Sequence, residues 1–353
     1  MKKSLVALAV LGTLAGTASA QSSVTLFGVM DAGVAFLKGG GVSTNQVVSG
    51  GLNTSRFGLR GTEDLGGGLK ANFWLESQVN EDTGTSDSGG KFWNRRATVG
   101  LSGDFGEFRI GRDKTSVRNI IDEFDAFGGV GFGDITANSK FSSSNFGVTG
   151  NTLGQNRNDN EVRYFLPSNL GGIYGSLDMG YGEGVGGQKL YGGRLGYKEG
   201  PLNVTVGASI STLANNAKWG HGAVAASYDF GVVKIGVLGI EAKLAGRKQD
   251  VYGVNATVPM GQGVFKVQYA QSNANARAET AATGFAAVYD ARLISAAYIY
   301  NVSKRTSLYG IVSDLKNKGN GTMVLAISQA TPAGLSTPGG TSSGFNVGIS
   351  HFF

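Results

Sequence analysis

The chain of 353 residues carries 31 Lys and Arg against 25 Asp and Glu, a formal net charge of +6. This excess is too small to indicate a nucleic-acid-binding protein. The absence of cysteine excludes disulfides and thiolate metal sites, and 59 glycines with only 5 prolines exclude collagen-like and proline-rich disordered chains.

The first twenty residues have the pattern of a secretory signal peptide. Lys2 and Lys3 form the positive start, residues 5–14 the apolar segment, and Ala18-Ser19-Ala20 a cleavage site of the A-x-A kind. The apolar segment is far shorter than the ~20 residues of a helical membrane span, which argues against an anchor. We therefore expect 1–20 to be removed and 21–353 to form a single exported domain.

Alternation of apolar and polar residues is the dominant pattern of the mature chain. Residues 69–79, 173–181 and 202–211 each place apolar side chains at alternate positions with polar ones between them. This predicts strands with one apolar and one polar face. In a barrel, lipid-facing and lumen-facing residues cancel in a hydropathy average, and the mean hydropathy of −0.04 fits that cancellation.

The connections between the predicted strands fall into two alternating kinds. There are seven short turns, such as 64–68 and 103–107, and eight longer polar stretches between them. The longer stretches lie near 37–53, 81–91, 113–156, 183–188, 212–219, 241–248, 273–289 and 315–343. Fifteen connections predict sixteen antiparallel strands. An even strand number with short turns at one rim and long loops at the other is typical of outer-membrane barrels.

A sheet of this size has to close in lipid, because unpaired edge groups would have no hydrogen-bond partners there. The last strand alternates up to Phe353, and we expect it to pair with the first strand, VTLFGVMDAGV. A barrel of sixteen strands is wide enough for an aqueous channel. The predicted fold class is all-β: a transmembrane antiparallel β-barrel of 16 strands.

The third long stretch, 113–156, begins with a helical pattern in which apolar residues recur at i, i+3, i+4 and i+7. These residues are Val117, Ile120, Ile121 and Phe124. Three carboxylates stand within four residues at the end of this pattern. The next segment, GGVGFGD, is too rich in glycine to continue a helix. The carboxylates are Asp122, Glu123 and Asp125. We expect this third extracellular loop, with its short helix, to fold into the barrel and narrow it.

Arginines on the polar strand faces are the candidate wall of the constriction. They are Arg56, Arg60, Arg96, Arg109 and Arg163. Each should face water, because a charge on the lipid face at mid-bilayer costs about 2–4 kcal/mol. Opposite the acidic loop they would create a transverse field, and charge rings of this kind decide which ions pass. We predict a preference for anions. Arg95 and Arg112 fall on the outer face by alternation, at strand ends or in a subunit contact.

Four segments carry a resemblance to a known family: SSVTLFGVMDAGV, SRFGLRGTEDLGGGLKANFWLE, RRATVGLSGDFGEFRIGRD and the closing GISHFF. Together they resemble the trimeric general-diffusion porins of Gram-negative outer membranes, especially the beta-proteobacterial branch. Phe352 departs from the basic penultimate residue frequent in this branch. Asp122-Glu123-Phe124-Asp125 only loosely matches the Pro-Glu-Phe-Gly motif of enterobacterial relatives.

The resemblance implies a homotrimer integral to the outer membrane, in contact with its lipids and lipopolysaccharide. It also implies passive diffusion of small hydrophilic solutes, anionic or neutral, and recognition of Phe353 by the outer-membrane assembly machinery.

The residues also bear on other functional classes. An enzyme would need a base, but His221 and His351 lie in predicted strands without a nucleophile motif, so we interpret both as structural. No metal-ligand spacing or phosphate-binding loop is found, and we expect no cofactor; calcium on loop carboxylates is left open. The alternative functions are a substrate-specific porin with a solute site and a secreted, soluble β-sandwich binding protein.

Overall fold

A single antiparallel sheet runs around the molecule and returns to its first strand. The computed structural model describes residues 23–86, 90–136, 156–183, 189–212, 217–279, 289–325 and 334–353. The predicted signal peptide, 1–20, lies outside the described residues and stays a prediction. Among the described residues, no helix has both the length and the apolar character that a membrane crossing requires.

The sheet contains 17 strand segments. Their bounds are β1 Ser23–Gly39, β2 Val42–Ser49, β3 Arg56–Gly66, β4 Leu69–Gln78, β5 Arg96–Gly103, β6 Gly106–Lys114, β7 Arg157–Phe165, β8 Ile173–Gly180, β9 Lys189–Glu199, β10 Leu202–Thr212, β11 Lys218–Asp229, β12 Lys234–Leu244, β13 Arg247–Met260, β14 Gly263–Ala274, β15 Ala291–Asn301, β16 Thr306–Asn317 and β17 Thr341–Phe352. Helices α1 Ser116–Phe124 and α2 Ala276–Glu279 and a 3₁₀ turn, Gly131–Gly133, are the described helical elements.

Segments β2 and β3 are two halves of one interrupted strand. Residues 32–39 of β1 pair with β2, and residues 23–29 of the same strand pair with β3. Residues 50–55 form the interruption. The 17 segments therefore make a ring of sixteen strands, and the predicted 16-strand antiparallel β-barrel is confirmed.

The ring closes between β1 and β17, as predicted. Their register runs from the pair Val29 and Phe352 to the pair Gly39 and Ser342. Beyond it, the backbone N–H of Phe353 donates to the carbonyl oxygen of Gly28 at 3.1 Å, and the N–H of Gly28 donates back at 3.2 Å. The terminal residue is thus hydrogen-bonded into the closing strand pair.

Two of the eight predicted long loops are in fact tight hairpins. Gly40 and Gly41 alone join β1 to β2, with φ of 56° and 83°. Ala245 and Gly246 join β12 to β13, with φ of 51° and 77°. Two consecutive residues with positive φ are what a two-residue hairpin requires. The predictions near 37–53 and 241–248 were wrong because polar strand ends were interpreted as loop.

The outward faces of the strands are apolar and exposed. In β10, Val206 and Ile210 are 55% and 54% exposed, whereas Ser209 and Ser211 on the other face are 3% and 0% exposed. The alternation predicted for this segment is thus present, with its apolar side directed away from the barrel interior. Such a band of exposed apolar side chains suits a lipid environment.

The inner face is divided, which alternation alone did not predict. From β11 to β16 many inward side chains are apolar and buried, for example Leu238, Ile240 and Leu244 on β12. They form one hydrophobic cluster with loop residues that fold into the barrel. This apolar cluster occupies much of the interior beside β11 to β16.

Three inward-folded pieces cover that apolar half. Helix α1 contacts strands β8 to β12, and its predicted apolar face is buried. The 3₁₀ turn contacts β15 and β16. Gly344 on the next strand, β17, leaves room for the Phe132 ring, since a Cβ added there would lie 2.8 Å from the ring. Met323, Leu325 and Leu335 of the last long loop join the same cluster. A large open part of the interior is left beside β3 to β7.

Closure gives a testable prediction at Gly28. A Cβ there would overlap the ring of Phe353 and lie 2.7 Å from the carbonyl oxygen of Arg56. We expect Gly28→Ala to lower the free energy of unfolding by about 1–3 kcal/mol, the usual cost of overpacking, measured by urea unfolding of the barrel in detergent or lipid.

Gly310→Ala is the matched control, because its Cβ would meet its nearest neighbour only at 3.8 Å. Equal stability of the two variants would contradict the proposed fit between Gly28 and the terminal ring.

Candidate pore constriction

A cavity of about 880 Å³ lies inside the barrel. Residues of β3 to β7 form one side, the inward loop at 118–136 the other, and the interruption at 52–54 contributes a third wall. Nine cations line it: Arg56, Arg95, Arg96, Arg109, Lys114, Arg118, Arg157, Arg163 and Arg194. Five carboxylates line it: Glu76, Asp113, Asp122, Glu123 and Asp134. The described lining therefore has an excess of four positive charges.

Four of the five arginines predicted for the wall line this cavity: Arg56, Arg96, Arg109 and Arg163. The structure does not place Arg60 with them. Arg60 pairs across the strands with Trp74, nearer the turn between β3 and β4, and is exposed. It shares the lumen face but lies beyond the cavity lining.

The two arginines that alternation placed outside behave differently. Arg95 lines the cavity, and its Nε lies 2.6 Å from Oε1 of Glu76. It precedes β5, where strand alternation does not yet apply. Arg112 does not line the cavity; its Nη1 lies 2.6 Å from Oδ1 of Asp159, next to a bulge between Gly111 and Asp113.

The wall arginines differ in how firmly they are paired. Arg109 binds Asp113 at 2.5 Å and Glu107 at 2.9 Å, and the fully buried Arg163 binds Asp178 at 2.9 Å. By contrast, Arg56 is 3.7 Å from Glu76, and Arg96 is 3.8 Å from Asp113. The charges of Arg56 and Arg96 are thus the less neutralised ones.

Asp122 and Glu123 of the loop face the cavity but are paired. Asp122 binds Lys114 at 2.6 Å and Arg118 at 2.5 Å. Burial alone would raise the pKa of Asp122, but Arg118 and Lys114 outweigh it, and the pKa is lowered. Glu123 binds Nη1 of Arg194 at 3.0 Å. Asp122 therefore stays ionised, and ion pairs cancel much of the field of both Asp122 and Glu123 locally.

Asp125, the third predicted loop acid, does not line the main cavity. It is 5% exposed and accepts the backbone N–H groups of Phe127 at 3.2 Å and Gly129 at 2.8 Å. Burial and the neighbouring Asp134 raise its pKa to about 7. Asp125 borders a second cavity of about 480 Å³ on the other side of the loop. Its main contacts shape the loop.

Lys114, Arg118, Arg157 and Arg194 also line the cavity but were missed from the sequence. Arg118 stands four residues before Asp122 on α1, a spacing that brings side chains together on a helix. Arg194 alternates with the outward Leu195 in β9. Arg157 begins β7, directly after the interval interpreted as loop, so no pattern marked it.

A buried carboxylate holds the interruption at 50–55 in place. Asp31 on β1 accepts the backbone N–H groups of Gly51 at 3.0 Å and Asn53 at 2.8 Å. It also accepts the hydroxyl of Tyr309 at 2.7 Å. An added Cβ on Gly131 would overlap the carbonyl oxygen of Gly51, so the interruption packs directly against the inward loop.

Neither histidine lines the cavity. His221 is buried on the inner face of β11, its ring 6.3 Å from that of Trp219. His351 on β17 contacts the hydroxyl of Thr306 on the neighbouring strand β16 at 2.9 Å. Within the described ranges, no group of three or more histidine and acidic side chains could hold a metal ion.

A closed ring of sixteen strands with apolar outer faces and a charged inner cavity defines a membrane pore barrel. A family model described as Gram-negative porin matches residues 7–320. The chain is 37% identical to outer membrane porin protein 32 of Delftia acidovorans, over 100% of both chains. It is 31% identical to an outer membrane porin of Bordetella pertussis, over 90% of this chain and 95% of the relative.

A solved structure titled "Anion-selective porin from Comamonas acidovorans" matches with a TM-score of 0.82 at 34% identity, over 94% of this chain and 100% of that one. The chain belongs to the Gram-negative porin family. It is an integral outer-membrane protein that forms a water-filled channel for passive diffusion, and the soluble β-sandwich alternative is excluded.

The contacts of Asp31 give a second prediction. We expect Asp31→Ala to lower the free energy of unfolding by about 1–3 kcal/mol, because buried donors of 50–55 and Tyr309 lose their acceptor. Urea unfolding followed by intrinsic fluorescence measures the change.

Asp64→Ala is the control, since the Asp64 carboxylate also accepts a backbone N–H, that of Gly66, but in an exposed turn. We expect its effect to stay within about 0.5 kcal/mol. A loss as large as that of Asp31→Ala would show that the buried position has no special role.

Proposed function

We propose that this porin is a general-diffusion channel with a preference for anions. The observation that carries the proposal is the charge of the cavity lining, where nine cationic side chains face five carboxylates. Fixed charge at a narrowing favours counter-ions and repels ions of like charge. Arginine retains its charge at any working pH, so the preference should persist over a wide pH range.

The distribution of that charge supports the same proposal. The acids of the loop are paired with Lys114, Arg118 and Arg194, whereas Arg56 and Arg96 have only long contacts with carboxylates. Of the predicted wall arginines, the less neutralised ones therefore lie on β3 and β5. We infer that anions pass along this side of the cavity.

General diffusion is favoured over a substrate-specific site. Conduction requires contacts weak enough for a solute to leave again, and the cations are spread over β3, β5, β6, β7, β9 and the loop. This arrangement suits small hydrophilic solutes, anionic or neutral, without one dominant binding geometry. A saturable block of conductance by one solute would instead indicate the substrate-specific alternative.

We further propose a homotrimer that contacts outer-membrane lipids and lipopolysaccharide, with Phe353 as the signal for the assembly machinery. Supporting this, the outer face near the closing strand pair is apolar: Val24 and Leu26 are 66% and 60% exposed. Phe353 is held in the ladder by two backbone hydrogen bonds, so its position in the folded barrel is defined.

The reversal potential in a salt gradient across a planar bilayer tests the anion preference. We expect the wild-type channel to be anion-selective and both Arg56→Ser and Arg96→Ser to shift selectivity toward cations. Each variant removes one charge from an excess of four in the described lining, so the shift should be partial.

Arg305→Ser is the charge-matched control, because Arg305 lies in the short turn between β15 and β16, away from the cavity lining. A cation-selective wild type, or equal shifts in all three variants, would contradict the proposal.

A further inference from the structure

Two aromatic rings lie among the arginines of the lumen face. Trp74 lines the cavity, and the ring of Phe27 stands edge-on to it, with centroids 4.8 Å apart and planes inclined by 61°. Gly58 makes this approach possible, since a Cβ at Gly58 would lie 2.6 Å from Cζ of Phe27. The two uncharged rings thus lie at the level of Gly58, between Arg56 and Arg60 along β3.

Guanidinium groups stand over these rings. Cζ of Arg96 is 4.5 Å from the centroid of the Trp74 ring. Cζ of Arg60 is 5.2 Å from the centroids of both Trp74 and Phe27. All three distances lie within the ~6 Å over which a ring quadrupole attracts a cation.

Trp74 also holds the nearest carboxylate on one side. Its indole N–H donates to Oε2 of Glu76 at 3.1 Å, while Oε1 of the same group binds Arg95 at 2.6 Å. Arg96 has its ion-pair contact with Asp113 instead, at 3.8 Å. Glu76, although it lies opposite Arg96 in the strand register, is thus engaged by the indole and by Arg95.

We propose that Trp74 is a positioning residue for ion selectivity: its ring holds Arg60 and Arg96 toward the lumen without neutralising them. A carboxylate in the same place would hold these side chains equally well but cancel their charge. An aromatic ring attracts the cation through its quadrupole and carries no net charge. The ring thus takes no charge from either arginine, and Arg96, whose ion-pair contact with Asp113 is long, remains largely available to a passing anion. This role rests on the proposed anion preference.

Phe165 is a weaker example of the same arrangement. Arg109 and Arg163 stand 4.3 Å and 4.5 Å from its ring centroid. Both arginines, however, also have carboxylate contacts below 3 Å, so their positions do not depend on the ring alone. Arg96 beside Trp74 also donates from Nε to the hydroxyl of Thr98 at 3.0 Å, but its carboxylate contact is long. Trp74 is therefore the better position for a test of the ring.

Two substitutions at Trp74 distinguish the effect of the aromatic ring from the effects of side-chain size and of the indole N–H group. Trp74→Leu removes the aromatic face, whereas Trp74→Phe keeps a ring but loses the indole donor. We expect Trp74→Leu to lower the ratio of anion to cation permeability by about two- to fivefold. This is the change in the population of the lumen-directed arginine conformers that loss of one exposed cation–π contact gives. We expect Trp74→Phe to retain most of the wild-type ratio.

Trp93→Leu is the matched control, because Trp93 packs against Phe57 and Phe92 and does not line the cavity. Reversal potentials of single inserted channels restrict the comparison to folded protein. Single-channel conductance at high salt reports pore width separately from selectivity.

The outcomes distinguish the anion preference of the channel from the role of Trp74 in it. A wild-type channel without anion preference would overturn the proposed function itself. A selective wild type with an unchanged ratio in Trp74→Leu, whatever its conductance, would overturn only the role of Trp74. A fall in Trp74→Phe as large as in Trp74→Leu would also overturn it, since the indole N–H would then be the determinant. Loss in Trp74→Leu with retention in Trp74→Phe supports the proposal.

Discussion

The pairing of every backbone N–H and C=O group within a closed ring is the constraint on which this molecule depends. Hydrocarbon offers no hydrogen-bond partner, so a spanning sheet is stable only without edges. Here β17 meets β1 over eleven residue pairs, and the last residue adds two further hydrogen bonds. Sixteen strands then enclose more space than their own side chains fill, and the shape of the pore is decided by what occupies that space.

Apolar burial decides which part of the interior is occupied. The buried face of α1 and the ring of Phe132 join the apolar inner faces of β11 to β16. The interruption at 50–55, anchored by Asp31, meets the loop from the opposite side. The charged cavity is what remains between them, so arginines of β3 to β7 and the loop face each other across it. The width of the cavity and the electric field across it thus arise from the same packing arrangement.

Sequence reasoning reached the strands, the ring closure and helix α1 because each leaves a periodic signal. Alternation does not predict the direction of side chains at strand ends, which is why it left the position of Arg95, just before β5, undecided. The pattern also does not say what lies opposite an inward side chain. In β12, KIGVLGIEAKL, apolar residues occupy both faces, the usual mark of a strand covered on both sides. The sequence of β12 therefore did contain a signal for the apolar half of the interior.

The local geometry of the loop could not be predicted from sequence patterns. Asp125 was expected to face the narrowing with Asp122 and Glu123, but hydrogen bonds from two backbone N–H groups turn it into the loop. Arg60 follows the predicted face yet lies beyond the cavity lining, because position along a strand is not encoded in alternation. Both differences come from tertiary contacts that no short sequence pattern specifies.

The central claim is that water and ions pass between the loop and the arginine wall, and not along the apolar half of the interior. The chain has no cysteine, so single cysteines can report this path directly. Asn119 lines the cavity, and Ala242 is fully buried on the inner face of β12. An anionic methanethiosulfonate reagent should reduce the current of Asn119→Cys channels and leave Ala242→Cys channels unchanged. Modification of Ala242→Cys as fast as that of Asn119→Cys would contradict the account.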